Sequence, residues 1–297
     1  MFVKAIEKVE KFTRPIFFIN RVYGNTGIRS HCATCVVVND EGWILTCRHV
    51  AELLQNGDNM SNKYKAFKIE RSHLFQGDVN YAAQVKELEQ RYGYDAGKNV
   101  LIQQKKRFVD IVDDNSAVHY FLHPKFDIAL IHLEGLNHKC DQFPVFAKDS
   151  SMLKQGMSLC RYGYPFPEFN NYKYDETSDD IEWTNVGKTR TPSFPVDGML
   201  TRVCADTSNH IVEVELSSPG LKGQSGGPLF DVNGIVYGIQ SQTISLPLGF
   251  DQENREIDVN GVTKKVNDYS FIHLGRCVHI DIVKDFMDSH HVKYQKG

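Results

Sequence analysis

The sequence has no apolar run near the roughly 18–20 residues that a membrane-spanning helix needs. Its start, Met1-Phe2-Val3-Lys4-Ala5-Ile6-Glu7-Lys8, lacks the apolar stretch of a secretory signal. It also lacks an excess of either charge: 34 Lys+Arg stand against 37 Asp+Glu, a formal net charge of −3. Bulk charge therefore gives no grip on nucleic acid or an anionic membrane. The cysteines (32, 35, 47, 140, 160, 204 and 277) are odd in number and scattered, unlike a secreted disulfide framework, and read as reduced core thiols. No Gly-x-x-x-x-Gly-Lys-Ser/Thr loop is present, no 20–50-residue period repeats, and no segment is of low complexity. These absences leave a soluble protein expected in the cytoplasm, with no membrane or nucleic-acid partner.

What is present is a chain of 297 residues, 41% apolar, 24% charged and 11% aromatic. That is enough to bury the cores of two lobes of roughly 100–150 residues each. Phe2, Ile6, Val9 and Phe12 recur at helical spacing and predict an N-terminal helix over 1–13. Strand patterns follow at Ile16–Ile19, Cys35–Val38 and Trp43–Thr46, the last two joined by the turn Asn39-Asp40-Glu41-Gly42. Residues 51–107 are more polar and read as an insertion with one helical stretch near Val79–Tyr92. Its basic cluster Lys105-Lys106-Arg107, with no stacking aromatics, reads as a solvated face. Strands resume at Phe108–Val112 and Asp127–Leu133.

A Pro-, Tyr- and Asn-rich section, Tyr162 to Pro195, reads as loop, its carboxylates Asp175, Glu176, Asp179, Asp180 and Glu182 matching no ordered Ca²⁺ spacing. Further strands are predicted at Met157–Tyr162, Met199–Ala205, Ile211–Leu216, Pro228–Phe230, Ile235–Thr243 and Tyr269–Ile280, and a last helix at Asp281–His290. With about six strands in each half, an all-β fold is expected: two six-stranded antiparallel β-barrels packed face to face. The first would occupy 14–145, with the insertion, and the second 146–290, including the C-terminal helix.

Three segments carry chemistry. In Gly223-Gln224-Ser225-Gly226-Gly227-Pro228, glycines crowd backbone N–H groups around a serine and let a substrate carbonyl approach; the plain alternative is a glycine turn. In Gly42–Val50 a strand ends in His49, a rigid setting for an imidazole base; an inert surface histidine is the alternative. In Phe126–Leu133, Asp127 opens an apolar strand, where a buried carboxylate needs donors such as a histidine Nδ1–H; a turn-closing aspartate is the alternative. Cys32-Ala33-Thr34-Cys35 beside His31 suggests zinc, but strand residues at i and i+3 face opposite sides and no second Cys-x-x-Cys exists.

On Leu45-Thr46-Cys47-Arg48-His49-Val50, Asp127-Ile128-Ala129-Leu130 and Gly223–Pro228, the chain resembles trypsin-like (chymotrypsin-fold) serine proteases over about residues 14–290. It is most similar to bacterial stand-alone members without a PDZ domain. The resemblance implies a double β-barrel with the site between barrels, His49 as base, Asp127 as its orienter, Ser225 as nucleophile, and the Gly223 and Ser225 amides as oxyanion hole. It makes Ser241 the serine that supports the aspartate and opens the substrate-pairing strand. It also places Pro219 at the pocket base with Gln242, Thr243 and Cys277 on its walls, which suggests a small or apolar substrate side chain. No metal or cofactor is implied.

One departure concerns activation. Secreted members carry an aspartate before the nucleophile, paired with a freshly cut N-terminus; here Gln224 stands there. The loop Gly220–Ser225 is thus expected to be pre-formed, or ordered by substrate, a regulatory protein partner or cleavage elsewhere. The expected activity is acyl transfer through a Ser-His-Asp triad, in limited processing of an intracellular polypeptide. The alternative from another class is a silent binding or scaffold domain.

Overall fold

The computed structural model describes residues 1–94, 99–114, 116–136, 140 and 142–297. The first lobe runs α1 (Val3–Val9), β1 (Thr13–Val22), β2 (Ile28–Val37), β3 (Trp43–Thr46), α2 (Arg48–Ser72), α3 (Tyr81–Tyr92), β4 (Leu101–Phe108), β5 (Val118–Leu122) and β6 (Ala129–Leu133). The second runs β7 (Val145–Phe146), β8 (Ser158–Arg161), β9 (Tyr172–Asp175), β10 (Asp180–Trp183), β11 (Val196–Ala205), β12 (Ile211–Leu216), β13 (Pro228–Phe230) and β14 (Ile235–Pro247). It ends with β15 (Gln252–Val259), β16 (Val262–Asp268), β17 (Phe271–His279), α4 (Ile280–Ser289) and β18 (Gln295–Lys296). No helix among the described residues is long and apolar enough to cross a membrane.

The expectation of two equal closed barrels holds for one lobe. In the second, the order β13-β8-β11-β12-β17-β14 returns on itself through a β13–β14 pairing, with β7 attached in parallel to β14 and β18 in parallel to β7. In the first, the six antiparallel strands run β4-β1-β2-β3-β6-β5 and stop, because β5 and β4 do not pair. The long helix α2 covers that opening, packing on both β4 and β5.

The insertion differs from its sequence reading in two ways. Helix α2 was hidden because Asn56-Gly57-Asp58-Asn59 reads as a turn; all four are weak helix formers. It forms because Val50, Ala51, Leu54, Tyr64 and Phe67 repeat along one buried face. Gly57 is required there: a side chain would overlap the Gln104 amide, which donates to the Leu53 carbonyl at 3.1 Å. The insertion also ends earlier, since Lys105, Lys106 and Arg107 belong to β4 and are engaged by Asp180, Asp58 and Asp114. The expected strand Phe108–Val112 is therefore a turn beyond Phe108.

The stretch read as loop contains the hairpin β9–β10, and its acidic cluster is only partly solvated. Asp179 receives Arg21 at 2.7 Å and Tyr174 at 2.8 Å, tying the hairpin to β1. A single core joins the lobes, from Ile16, Val36 and Leu130 to Leu159, Phe230 and Val278. Helix α4 buries Val283, Phe286 and Met287 against it; each such side chain contributes roughly 1.5–3 kcal/mol.

Candidate active site

Strand pairing brings His49 and Asp127 together. Thr46 at the end of β3 lies opposite Ala129 at the start of β6, so the residues just past one end and just before the other leave the sheet side by side. Cys47 turns the chain in extended conformation, and His49 falls in the first turn of α2 rather than at a strand end as expected. Its backbone N–H donates to Asp127 Oδ1 at 3.0 Å, and its Nδ1 lies 2.9 Å from Oδ2.

The turn before Asp127 is fixed by His123, which the sequence offers as an ordered histidine without a role, and by Arg48 and Phe286, which it does not mark. The His123 Nδ1 accepts the amides of Lys125 and Phe126 at 3.1 and 2.9 Å. Arg48 donates to the carbonyls of His123 and Pro124 at 2.9 and 3.0 Å, and Phe286 of α4 packs edge-on against the His123 ring at 4.9 Å. Ser241 of β14 donates its hydroxyl to Asp127 Oδ2 at 2.5 Å. Burial pushes the Asp127 carboxyl up, but hydrogen bonds from the His49 ring, Ser241 and the His49 amide outweigh it and bring it down to about 2. The carboxylate is therefore charged at neutral pH.

Ser225 arrives from the second lobe. Its hydroxyl donates to the Ser241 carbonyl at 3.2 Å, and so is engaged by the residue that also holds Asp127. Its loop is fastened to the first lobe by buried Thr34 of β2. The Thr34 amide donates to the Ser225 carbonyl at 3.1 Å, its hydroxyl to the Gly223 carbonyl at 2.8 Å, and its own carbonyl accepts Thr46 Oγ1 at 2.8 Å. Two glycines are demanded by this fit. Gly223 has φ +101° and its missing Cβ would lie 2.7 Å from the Tyr164 carbonyl; at Gly226, φ +89°, a Cβ would overlap the Thr34 carbonyl. Among the described residues, neither the Gly223 nor the Ser225 amide donates a hydrogen bond.

Gln224 is fully buried, and its side chain joins the loop to itself and to the neighbouring Phe194 segment. Its Oε1 accepts the Leu221 amide at 3.0 Å and its Nε2 donates to the Phe194 carbonyl at 2.8 Å. Of the pocket residues, Pro219, Gln242 and Thr243 are exposed, whereas Cys277 is fully buried, its thiol 3.5 Å from Gln240 Oε1. Cys47, His49 and Asp127 cluster closely enough to suggest a metal. The buried Cys47 thiol, however, donates to the Gln240 carbonyl at 3.0 Å and burial pushes its pKa well up, which makes it a poor ligand.

A family model, the trypsin-like peptidase domain, matches residues 33–239, a span that includes His49, Asp127 and Ser225. The chain belongs to the trypsin-like peptidase family. Among curated proteins, none matches this member by sequence. Similar solved structures include an HtrA-type protease, AlgW, with decapeptide: 10% identity and TM-score 0.48, covering 97% of this chain and 67% of that one. The Rv3671c protease from M. tuberculosis in its active form is another, at 12% identity and TM-score 0.46, covering 99% and 86%. The peptidase described here thus spans about two thirds of the length of the former.

Proposed function

We propose that this trypsin-like peptidase is a serine endopeptidase that cuts a polypeptide through an acyl-enzyme, with His49, Asp127 and Ser225 as its triad. The observation that carries the reading is the Asp127 carboxylate, which engages the His49 ring and amide on one side and the Ser241 hydroxyl on the other. A charged Asp127 fixes the tautomer with hydrogen on Nδ1, leaving Nε2 as the acceptor that takes the Ser225 proton. Ser225 Oγ attacks the peptide carbonyl, and the developing oxyanion meets the free amides of Gly223 and Ser225. His49 then protonates the leaving amine, and water releases the acyl group by the reverse route.

Gln224 supports a loop formed without a charged partner, because its amide holds the Leu221 amide of the segment before Ser225 and ties that segment to the Phe194 carbonyl. The favoured role is limited processing of a protein substrate. The bond from Ser225 to the Ser241 carbonyl, rather than to His49, favours a second reading in which the fold is a silent scaffold. A fluorophosphonate probe separates the two. Labelling of Ser225 that disappears in His49→Ala is expected; silence of the wild-type protein towards probe and peptides sinks the enzyme reading.

A further inference from the structure

Two arginines are buried among the described residues, and they are treated differently. Arg21, 4% exposed, is ion-paired with Asp179. Arg161, with no exposed surface, makes no ion pair among the described residues. Its Nη1 donates to Gln240 Oε1 at 3.0 Å, and its Nη2 to the Ser218 carbonyl, Ser218 Oγ and the Pro219 carbonyl at 3.0, 2.5 and 3.1 Å. Every one of these acceptors is neutral, and the Nε–H has none. Placing a cation out of water without a counter-charge costs several kcal/mol, so such a group marks a place where a missing anion would be welcome.

The position of this charge gives it a use. Ser218, Pro219 and Gly220 run over the guanidinium, six residues upstream of Ser225 at their midpoint. Gly275 of β17 lies against it: a side chain there would overlap Arg161 Nη1, so the glycine makes room for the cation. Across the ladder from Gly275 stands Thr243 of β14, whose hydroxyl donates to the Gly220 carbonyl at 2.8 Å. That one neutral hydrogen bond is all that joins the Thr243 side chain to Gly220.

We propose that Arg161, beneath Ser218–Gly220 and Thr243, is the specificity-determining residue and that the peptidase selects an acidic side chain, Glu or Asp, on the acyl side of the scissile bond. The proposal rests on the serine-endopeptidase reading and replaces the small or apolar preference that Gln242, Thr243 and Cys277 suggested. The entering carboxylate parts Thr243 from Gly220 and supplies the counter-charge that Arg161 lacks. A neutral isostere parts the same bond without that return, so discrimination is strongest between Glu and Gln.

The test uses the full chain in two assays. In the first, matched peptides with Glu, Gln, Leu or Lys before the scissile bond are cut by the wild-type protein; kcat/KM for Glu is expected to exceed that for Gln by at least about 100-fold. In the second, the Ser225→Ala variant is titrated with product peptides ending in Glu or Gln, and the Glu product is expected to bind at least about tenfold tighter. Arg161→Met brings both ratios close to one and Arg161→Lys restores part of them, a pattern that a purely structural brace does not give.

Equal handling of Glu and Gln by a protein whose Ser225 reacts with the fluorophosphonate probe overturns the inference and leaves the protease reading standing. Selective binding of the Glu product by a protein that neither labels nor cuts does the reverse. Should Arg161→Met fail to fold, the Glu-to-Gln ratios of the wild-type and Ser225→Ala proteins decide alone.

Discussion

In the second lobe β13 pairs with β14, so six strands form a ring and each has a neighbour on both sides. In the first lobe β4 and β5 never meet, and α2 lies across the gap, fastened by side chains: Gln104 to Leu53, Ser61 to Gln104, and Lys106 to Asp58. A ring closed by backbone hydrogen bonds tolerates most side-chain changes. A seam closed by a helix depends on which side chains meet. Because the same helix holds His49 in its first turn, the proposed base depends on the packing of that seam, whereas the proposed nucleophile sits beside a closed ring, its loop held by Thr34 and Gln224.

Several measurements break or sharpen this contrast. The largest effect tests whether the lobes contribute to one unit: Ser225→Ala and His49→Ala are each expected to lower kcat about 10⁶-fold, and the double variant by no more than either, in single-turnover peptide assays. Asp127→Asn, which keeps the shape but loses the charge that orients His49, is expected to cost about 10⁴-fold in kcat. A smaller loss tests the seam: Gly57→Val drives a side chain into Gln104 and is expected to destabilise the protein by about 1–3 kcal/mol, read as a lower Tm. If α2 truly fixes His49, the same variant, while still folded, loses both kcat and fluorophosphonate labelling of Ser225.

The smallest effect is in acid. The folded-state pKa of Asp127 is depressed from 3.8 to about 2, so its stabilisation is complete above the unfolded value and fades as pH falls from about 4 towards 2. Asp127→Asn is expected to flatten that limb of a stability-against-pH curve followed by denaturant melts; an unchanged limb contradicts the assignment of the shift.

Much of the candidate site could be read from the sequence, because His49, Asp127 and Ser225 each sit in a short pattern whose neighbours disclose the local backbone. The ring strands of the second lobe were legible for a similar reason, alternating or continuous apolar runs such as Ile211–Leu216 and Pro228–Phe230, whereas the polar hairpins β9–β10 and β15–β16 and the two-residue strands β7 and β18 were not. Helix α2 was not, since its hydrophobic face is interrupted by polar and glycine residues that only the Gln104 contact explains. The roles of Arg48, Thr34 and Arg161 were equally hidden. Each acts on backbone or side chains far away in sequence, and no local spacing records such a partner.

Thr34 carries one more lesson. Its amide, carbonyl and hydroxyl all engage the seam, and it stands at a fixed register on β2, opposite Pro15. A slip of that pairing by a single residue would turn Ala33 or Cys35 to this place and point the side chain to the wrong face. The shape of the segment around Ser225 thus depends on the alignment of a strand in the other lobe, a coupling that no local pattern around Ser225 records.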